Sequence, residues 1–534
     1  MSPRRIPTKA ELLRLQKLYR TDKRIADTLG NGVTEHLVAY WRRKKGVPSY
    51  SFPKFSEKDI HEVWDRFGDD FHAGMELGLS KAAFYNWRRR YKITKKPEAL
   101  KLEQLSLELF TDEKNNRRQI GTGRQSIFQK ALAQNLGVKE TKVGKEFEIE
   151  PDLVLACGNI NEMIRLFQDS GTTYIWNSAR VAVPCDNSDL NSQPGPTKAV
   201  KDFIRLQQIK NFFGQGMGNS LQLAIERGLV LPGHIIIGGS NEIAACGALG
   251  ALAVPGDITS MVSLWCNGRI KIKVPETVKV IINGRFPRGV FVRDLVHNIV
   301  SQLDSSRLSG RMIEFYGSAV DQMTISERIT LCCLVTTTGA YSAVCPFDAT
   351  TRRYVNPRAR KPFIPLLADR NTAYASEYNL DVNTMKPVAL SPNDNKVQTL
   401  DELNGLPVQY AFIGGIANGR YDDLKIAADI VKGKQLNPDT RLYIQPASQE
   451  IYLKALKKGL LRLFIEAGAI IREPGLPPGN GPHPSLGDGE VGLSTYVPGC
   501  INPGQGRIYQ VSPATAAVAA VQGQLTNPAE FVKV

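Results

Sequence analysis

Beyond about residue 102 the chain alternates short aliphatic runs with glycine-rich turns and helical stretches, and no other feature restricts its fold as much. Short apolar runs bounded by Gly and Pro, with helical segments between them, read as an α/β pattern in which helices cover the sheets. At 534 residues the chain exceeds one core and predicts roughly three or four domains. No apolar run reaches the roughly 18 residues that a membrane span needs. The opening segment MSPRRIPTKAELLRLQ is basic but has no apolar stretch of the secretory type. The cytoplasm is the expected location, with no membrane partner.

The first 96 residues have a different texture. They hold 22 Lys and Arg against 11 Asp and Glu, so +11 of the chain's +16 lies here and only +5 on the other 438 residues. A basic block on a near-neutral body suggests a module that meets a polyanion; a solvated helical face is the plainer alternative. Two segments of the block repeat, Asp22 to Val47 and Asp69 to Ile93, each ending on Trp and basic residues: Trp41-Arg42-Arg43-Lys44-Lys45 and Trp87-Arg88-Arg89-Arg90. Each reads as helix, tight turn, helix. Ile25, Leu29, Val33 and Leu37 have helical apolar spacing, Ala26 allows close crossing, and Gly30 can make the turn. Gly74 and Gly78 correspond in the second repeat, with Ser80 as N-cap. Leading helices at Lys9–Tyr19 and Glu57–Phe67 complete two three-helix units.

This block resembles the tandem helix-turn-helix domains of DNA binders. The resemblance implies base reading by Thr34, Glu35, His36 and Ala39, and by Ser80, Lys81, Ala82 and Tyr85. Arg42, Arg43, Lys44, Arg88, Arg89 and Arg90 would contact DNA phosphates. The two Trp residues are read as core, and docking to protein or RNA is the competing use of the block.

After a polar bridge near Lys95–Lys101 come GLVLPGHIIIGGSNEIAACGALGALAVPGDIT (228–259), KVPETVKVIINGRFPRGVFVRDLVHNIV (273–300) and MIEFYGSAVDQMTISERITLCC (312–333). AFIGGIANGRYDDLKIAADIVKGKQLNPDTRLYIQPASQEI (411–451), FIEAGAIIREPG (464–475) and GRIYQVSPATAAVAAV (506–521) follow in order. Together these resemble the aconitase superfamily, and within it the 3-isopropylmalate dehydratase large subunit, from about residue 102 to the end. The implied architecture is a set of three-layered α/β domains preceded by a small all-α region. Expected boundaries are 1–96 for the helical block and 97–534 for the body, split near 102–400 and 401–534.

The resemblance implies a [4Fe-4S] cluster held by three cysteines, since soft thiolate sulfur bonds iron and an alkyl group cannot. Ile416 stands where the first ligand falls in a GSCTNGR-like loop, and Leu476 and Gly479 where a PGCxxC motif supplies the others. No cofactor is therefore expected, and no metal residue is assigned. The acid–base segments have also changed. An AHD-like segment reads Ala156-Cys157-Gly158, an FDH-like one Cys185-Asp186-Asn187, and a DSH-like one Ser240-Asn241-Glu242. Thr337 replaces an expected Glu, and Thr495-Tyr496-Val497-Pro498 stands where a substrate-binding Arg belongs. The fold-bearing segments, NGR at 418–420, KVPET and VSPATAA, are retained.

Eight cysteines are scattered without a CxxC pair and none precedes residue 157, which argues against a zinc finger and a disulfide framework. Through the resemblance, Cys157, Cys185, Cys246 and Cys500 map to loops facing the centre. With Asp186, Asn187, Ser240, Asn241 and Arg420 they outline a candidate pocket for a small-molecule or metal effector, although buried cysteines in a core would look the same. Cys332 and Cys333 read as core. No catalytic residue is assigned. The leading expectation is a non-catalytic, DNA-binding transcriptional regulator that senses an effector through the old site. A hydro-lyase or isomerase of the 3-isopropylmalate dehydratase type with an altered site is the alternative, and a non-catalytic scaffold the third. A separate aconitase-type small subunit is a further possible partner.

Overall fold

The computed structural model of the protein describes residues 6–19, 21–29, 33–48, 55–67, 70, 73, 77, 79, 81–93, 123–156, 159–184, 197–214, 216–303, 305–392, 396–475, 486–496 and 506–532. The chain divides into two compact units, Met1–Asn116 and Arg117–Val534.

In the first unit the expected leading helices form with the expected bounds, α1 (Lys9–Tyr19) and α4 (Glu57–Phe67). Each starts on a reciprocal cap. Thr8 and Glu11 exchange backbone and side-chain hydrogen bonds of 2.7 and 3.2 Å, and Ser56 and Asp59 do the same at 2.8 and 3.2 Å. Between and after them lie α2 (Asp22–Leu29), α3 (Glu35–Lys44) and α5 (Lys81–Arg90). Helices α1 to α3 bury Leu12, Ile25, Ala26, Val38, Trp41 and Val47. The second repeat buries Ile60, Trp64, Ala73, Phe84 and Ile93, with Trp87 only half-buried beside Phe55 and Tyr91. Each repeat closes on a left-handed residue, Gly46 at φ 62° and Lys92 at φ 55°.

The second unit is an α/β body. One sheet has five parallel strands in the order β4 (Asn211–Phe213), β3 (Val181–Pro184), β2 (Leu153–Leu155), β5 (Ile235–Gly238), β6 (Leu252–Pro255). A second has four parallel strands, β10 (Ser342–Val344), β9 (Met312–Tyr316), β8 (Thr277–Asn283) and β11 (Ser376–Asp381). The third runs β13 (Val397–Thr399), β12 (Val388–Leu390), β18 (Arg507–Gln510), β17 (Val491–Ser494), β14 (Tyr410–Ile413), β15 (Arg441–Ile444), β16 (Ile470–Ile471). Only β12 runs against the other strands of that sheet. A small antiparallel pair, β1 (Glu146–Ile149) and β7 (Ile270–Lys273), completes the set.

The retained apolar runs explain this architecture. Every residue of β3, β5, β14 and β17 is buried, because parallel strands are covered by helices on both faces and need continuous apolar runs rather than alternation. The VSPATAA segment becomes the buried helix Pro513–Gln522, capped by Ser512 and opened by a proline at its first turn. The seven-stranded sheet recruits β12 and β13, which precede residue 401 in the chain. Loops at the carboxyl ends of parallel strands are where such folds place their chemistry. In this body those loops include 239–240 after β5 and 414–420 after β14. No helix among the described residues is long and apolar enough to cross a membrane.

Candidate active site

The loop 414–420 leads from β14 into the helix Tyr421–Val431. Its glycines are required by crowding. A Cβ on Gly414 would come 2.8 Å from the Gln445 carbonyl oxygen, and one on Gly415, at φ 90°, would come 2.5 Å from the Tyr496 ring. Thr495 clamps the same turn, its hydroxyl accepting from the Gly414 N–H at 2.8 Å and donating to the Gly414 carbonyl at 2.9 Å.

Two buried arginines underpin this loop. Arg293 donates to Asn418 Oδ1 from Nε at 3.0 Å and from Nη2 at 2.8 Å. It also reaches Gln510 Oε1 at 3.3 Å and the Thr495 carbonyl. Asn418 passes the network on to Asp423 at 3.1 Å. Burial lowers the Arg293 pKa to about 10, which leaves it charged at neutral pH. Arg420 donates to Thr330 Oγ1 at 2.6 Å, to the Ile416 carbonyl at 3.4 Å and to the Ala417 carbonyl. Among the described residues its Nε has no hydrogen-bond partner. Expected to line an open pocket, Arg420 is instead built into the loop that carries it.

Ile416 packs against two apolar clusters. One is the large core behind β5 and β8; the other is Tyr410, Phe412, Leu486, Tyr496 and Ile508. An alkyl group wedged in this way offers no electron pair to iron. Leu476 and Gly479 lie outside the described residues, but neither side chain has a donor atom. Among the described residues no three His, Cys, Asp or Glu are arranged to hold a metal ion. The three positions that the resemblance assigns to cluster ligands therefore supply no thiolate for a [4Fe-4S] cluster.

Four of the nine expected pocket residues are described. Ser240 is half-buried and starts the short helix Asn241–Leu249 without a side-chain cap bond, and Asn241 is exposed. Cys246 is fully buried in the core, its thiol pushed up to about 12, so the expectation that it faces a pocket is corrected. The loop registration that suggested it cannot distinguish the inner from the outer face of a tight helix. Cys157, Cys185, Asp186, Asn187 and Cys500 lie outside the described residues. Cys332 and Cys333 are core, as expected, with Cys332 Sγ 3.8 Å from Cys345 Sγ. Cys333 feels the charges of Glu242, Arg420 and Arg293.

One group escapes the sequence reading. Glu226 ends the helix Ser220–Glu226, whose first turn touches the loop through Asn219 and the Gly415 carbonyl at 3.4 Å. Its Oε1 accepts from Gln222 at 2.8 Å and from Ser448 at 2.7 Å. Burial raises the carboxyl above the usual range, and these two bonds only partly oppose it. Close by, the Arg358 guanidinium lies 4.1 Å over the Tyr354 ring and 3.6 Å from Glu450. The Gln222-to-Glu226 spacing of four on one helix is readable, but Ser448 stands 222 residues away.

The N-terminal candidates are placed as follows. Thr34 caps α3, accepting from Leu37 N at 3.4 Å. Glu35, His36, Ala82 and Tyr85 are exposed and Ala39 is half-buried; Ser80 and the Lys81 side chain lie outside the description. Arg43, Lys44, Arg89 and Arg90 are exposed, but Arg42 and Arg88 are not free. Arg42 forks onto Asp22 at 2.8 to 3.2 Å and onto the Val47 carbonyl. Arg88 repeats the arrangement with Asp70 and the Ile93 carbonyl. Both were expected to meet phosphates, and both are committed to ion pairs within their own repeats.

Parallel sheets carrying glycine loops at their carboxyl ends, with buried guanidinium groups beneath them, are the frame on which α/β folds build their sites. The chain belongs to the aconitase family (aconitate hydratase), whose pattern matches residues 197–399 and 386–523. It is 32% identical to the 3-isopropylmalate dehydratase large subunit 1 of Methanopyrus kandleri, over 69% of this chain and 90% of that one. It is 32% identical to the 3-isopropylmalate dehydratase large subunit of Clostridium kluyveri, over 76% and 99%, and 31% to that of a Hydrogenobaculum species, over 76% and 98%. These names favour the hydro-lyase alternative and correct the expectation of a non-catalytic, DNA-binding regulator. A net charge does not say which arginines are free, and Arg42 and Arg88 are not.

Proposed function

We propose that the chain is a hydro-lyase or isomerase of the 3-isopropylmalate dehydratase type that acts on a hydroxy acid through an altered centre. The observation that carries this is Glu226, a carboxyl raised by burial and held by Ser448 and Gln222. Loss of water needs an acid for the departing hydroxyl and a base for the carbon-bound proton. Glu226 is the group assigned to pass a proton to the departing hydroxyl, which leaves as water. The carbon-bound proton passes to a second, basic group of the site. Arg358, beside Tyr354 and Glu450, supplies positive charge for a substrate carboxylate. A separate small subunit docks on the body, as the name "large subunit" of the relatives suggests, and the complex acts in the cytoplasm.

The test is a dehydration assay of the full chain, alone and with an aconitase-type small subunit from the same source, on 3-isopropylmalate. The expected result is formation of the unsaturated acid. Neither turnover nor measurable substrate binding in either preparation overturns the proposal.

A further inference from the structure

We infer that the centre of this chain holds no iron–sulfur cluster, and that Ile416 and Tyr496 close with apolar contact the place where a liganding thiolate would stand. This rests on the hydro-lyase reading for its functional meaning and on side-chain chemistry for its substance. Cluster iron is bound by thiolate sulfur, which Ile416, Leu476 and Gly479 lack. The replacement is also structural. Ile416 is packed into both the core behind β5 and the tyrosine-rich cluster of the seven-stranded sheet. Gly415 lies so close to Tyr496 that even a Cβ would strike the ring, at 2.5 Å. The Thr495 hydroxyl, bonded to both the N–H and the carbonyl of Gly414, holds the loop down on the strand end. Among the described residues the loop is held between a ring on one side and a hydroxyl on the other.

Positive charge survives at the centre in a different form. Arg420 is buried beneath the loop, and among the described residues its Nε has no hydrogen-bond partner. The chemistry that remains is acid–base catalysis on a polycarboxylate, with Glu226 and the guanidinium groups as its means.

The experiment uses the full chain purified without oxygen, before and after incubation with ferrous iron and sulfide. Iron and acid-labile sulfide stay below about 0.1 per chain, and no absorption develops near the visible charge-transfer region typical of iron–sulfur centres. Iron and sulfide at roughly 3 to 4 per chain would overturn the inference, whatever the activity. Ile416→Ala supplies an independent readout: the melting temperature falls by several degrees, as for any truncated core side chain. An unchanged melting temperature would overturn the apolar closure. Dehydration by iron-free protein supports this inference and the hydro-lyase reading together. Iron-free protein without turnover, alone or with a small subunit, leaves this inference standing and removes the other.

Discussion

The N-terminal unit and the body both keep arginines beside carboxylates, yet they use them in opposite ways. Arg42 and Arg88 occupy equivalent places in the two repeats, with side chains 11% and 14% exposed, each forked onto one aspartate and one carbonyl. They staple the end of a small helical core that each repeat could not otherwise close tightly. Arg293 and Arg420 are 1% and 2% exposed and face amides, carbonyls and a hydroxyl at the seam where two sheets meet. A guanidinium at the rim can be replaced by water, whereas one at the centre leaves several buried acceptors unpaired. The first region shows charge as local fastening, the second charge as the core of a functional loop.

The contrast predicts its largest effect at Arg293. Arg293→Met should destabilise the body by about 3–5 kcal/mol in denaturant unfolding, because Asn418, Gln510 and the Thr495 carbonyl lose their donor together. A loss below about 1 kcal/mol would erase the distinction between the two regions. Next comes Glu226→Gln. Turnover should fall by about 10²–10⁴-fold with little change in melting temperature, since an amide oxygen still accepts from Gln222 and Ser448.

A third effect is set by pH. His297, buried beside Arg293, has its pKa lowered to about 3, so only the unfolded chain takes up its proton between pH 6.5 and 3. That lowers stability as pH falls, by about 2 kcal/mol at pH 5. Asp294 is raised to about 7 by burial, and between pH 4 and 7 only the folded chain keeps its proton, so stability rises as pH falls. These helix neighbours offset each other in the native protein. His297→Gln should therefore make the body more stable at pH 5 than at pH 7, and Asp294→Asn less stable, in parallel melts. If both variants keep the native pH profile, the burial account of this helix is wrong.

Smaller again, Arg42→Ala and Arg88→Ala should each cost about 1–2 kcal/mol, by similar amounts, because the pairs are half-buried and repeated. Exposed Arg89→Ala should stay within about 0.5 kcal/mol of the native chain. Unequal losses at Arg42 and Arg88 would show that the two repeats are fastened differently.

Local signals carried well into the structure. Thr8 with Glu11 and Ser56 with Asp59 announce helix starts through contacts three residues apart, so α1 and α4 were legible with their bounds. The α/β class was equally visible, since parallel strands need uninterrupted apolar runs such as Ile235–Gly238. Illegible features depended on distance along the chain. Arg42 finds Asp22 across 20 residues and Glu226 finds Ser448 across 222, and no periodicity encodes such meetings. Cys246 sat in a loop that resembled an exposed one, but the close approach of Gly247 to the Ala343 carbonyl turns that helix inward. The replaced ligand positions were plain from side-chain chemistry alone; only the structure shows Ile416 joining two cores.

The most direct measurement is dehydration of 3-isopropylmalate by the full chain, with small subunit present and iron removed by a strong chelator, in native and Glu226→Gln forms. The account predicts turnover that survives iron removal and collapses in the variant. Turnover that appears only when iron is supplied, or that is indifferent to Glu226, would contradict it.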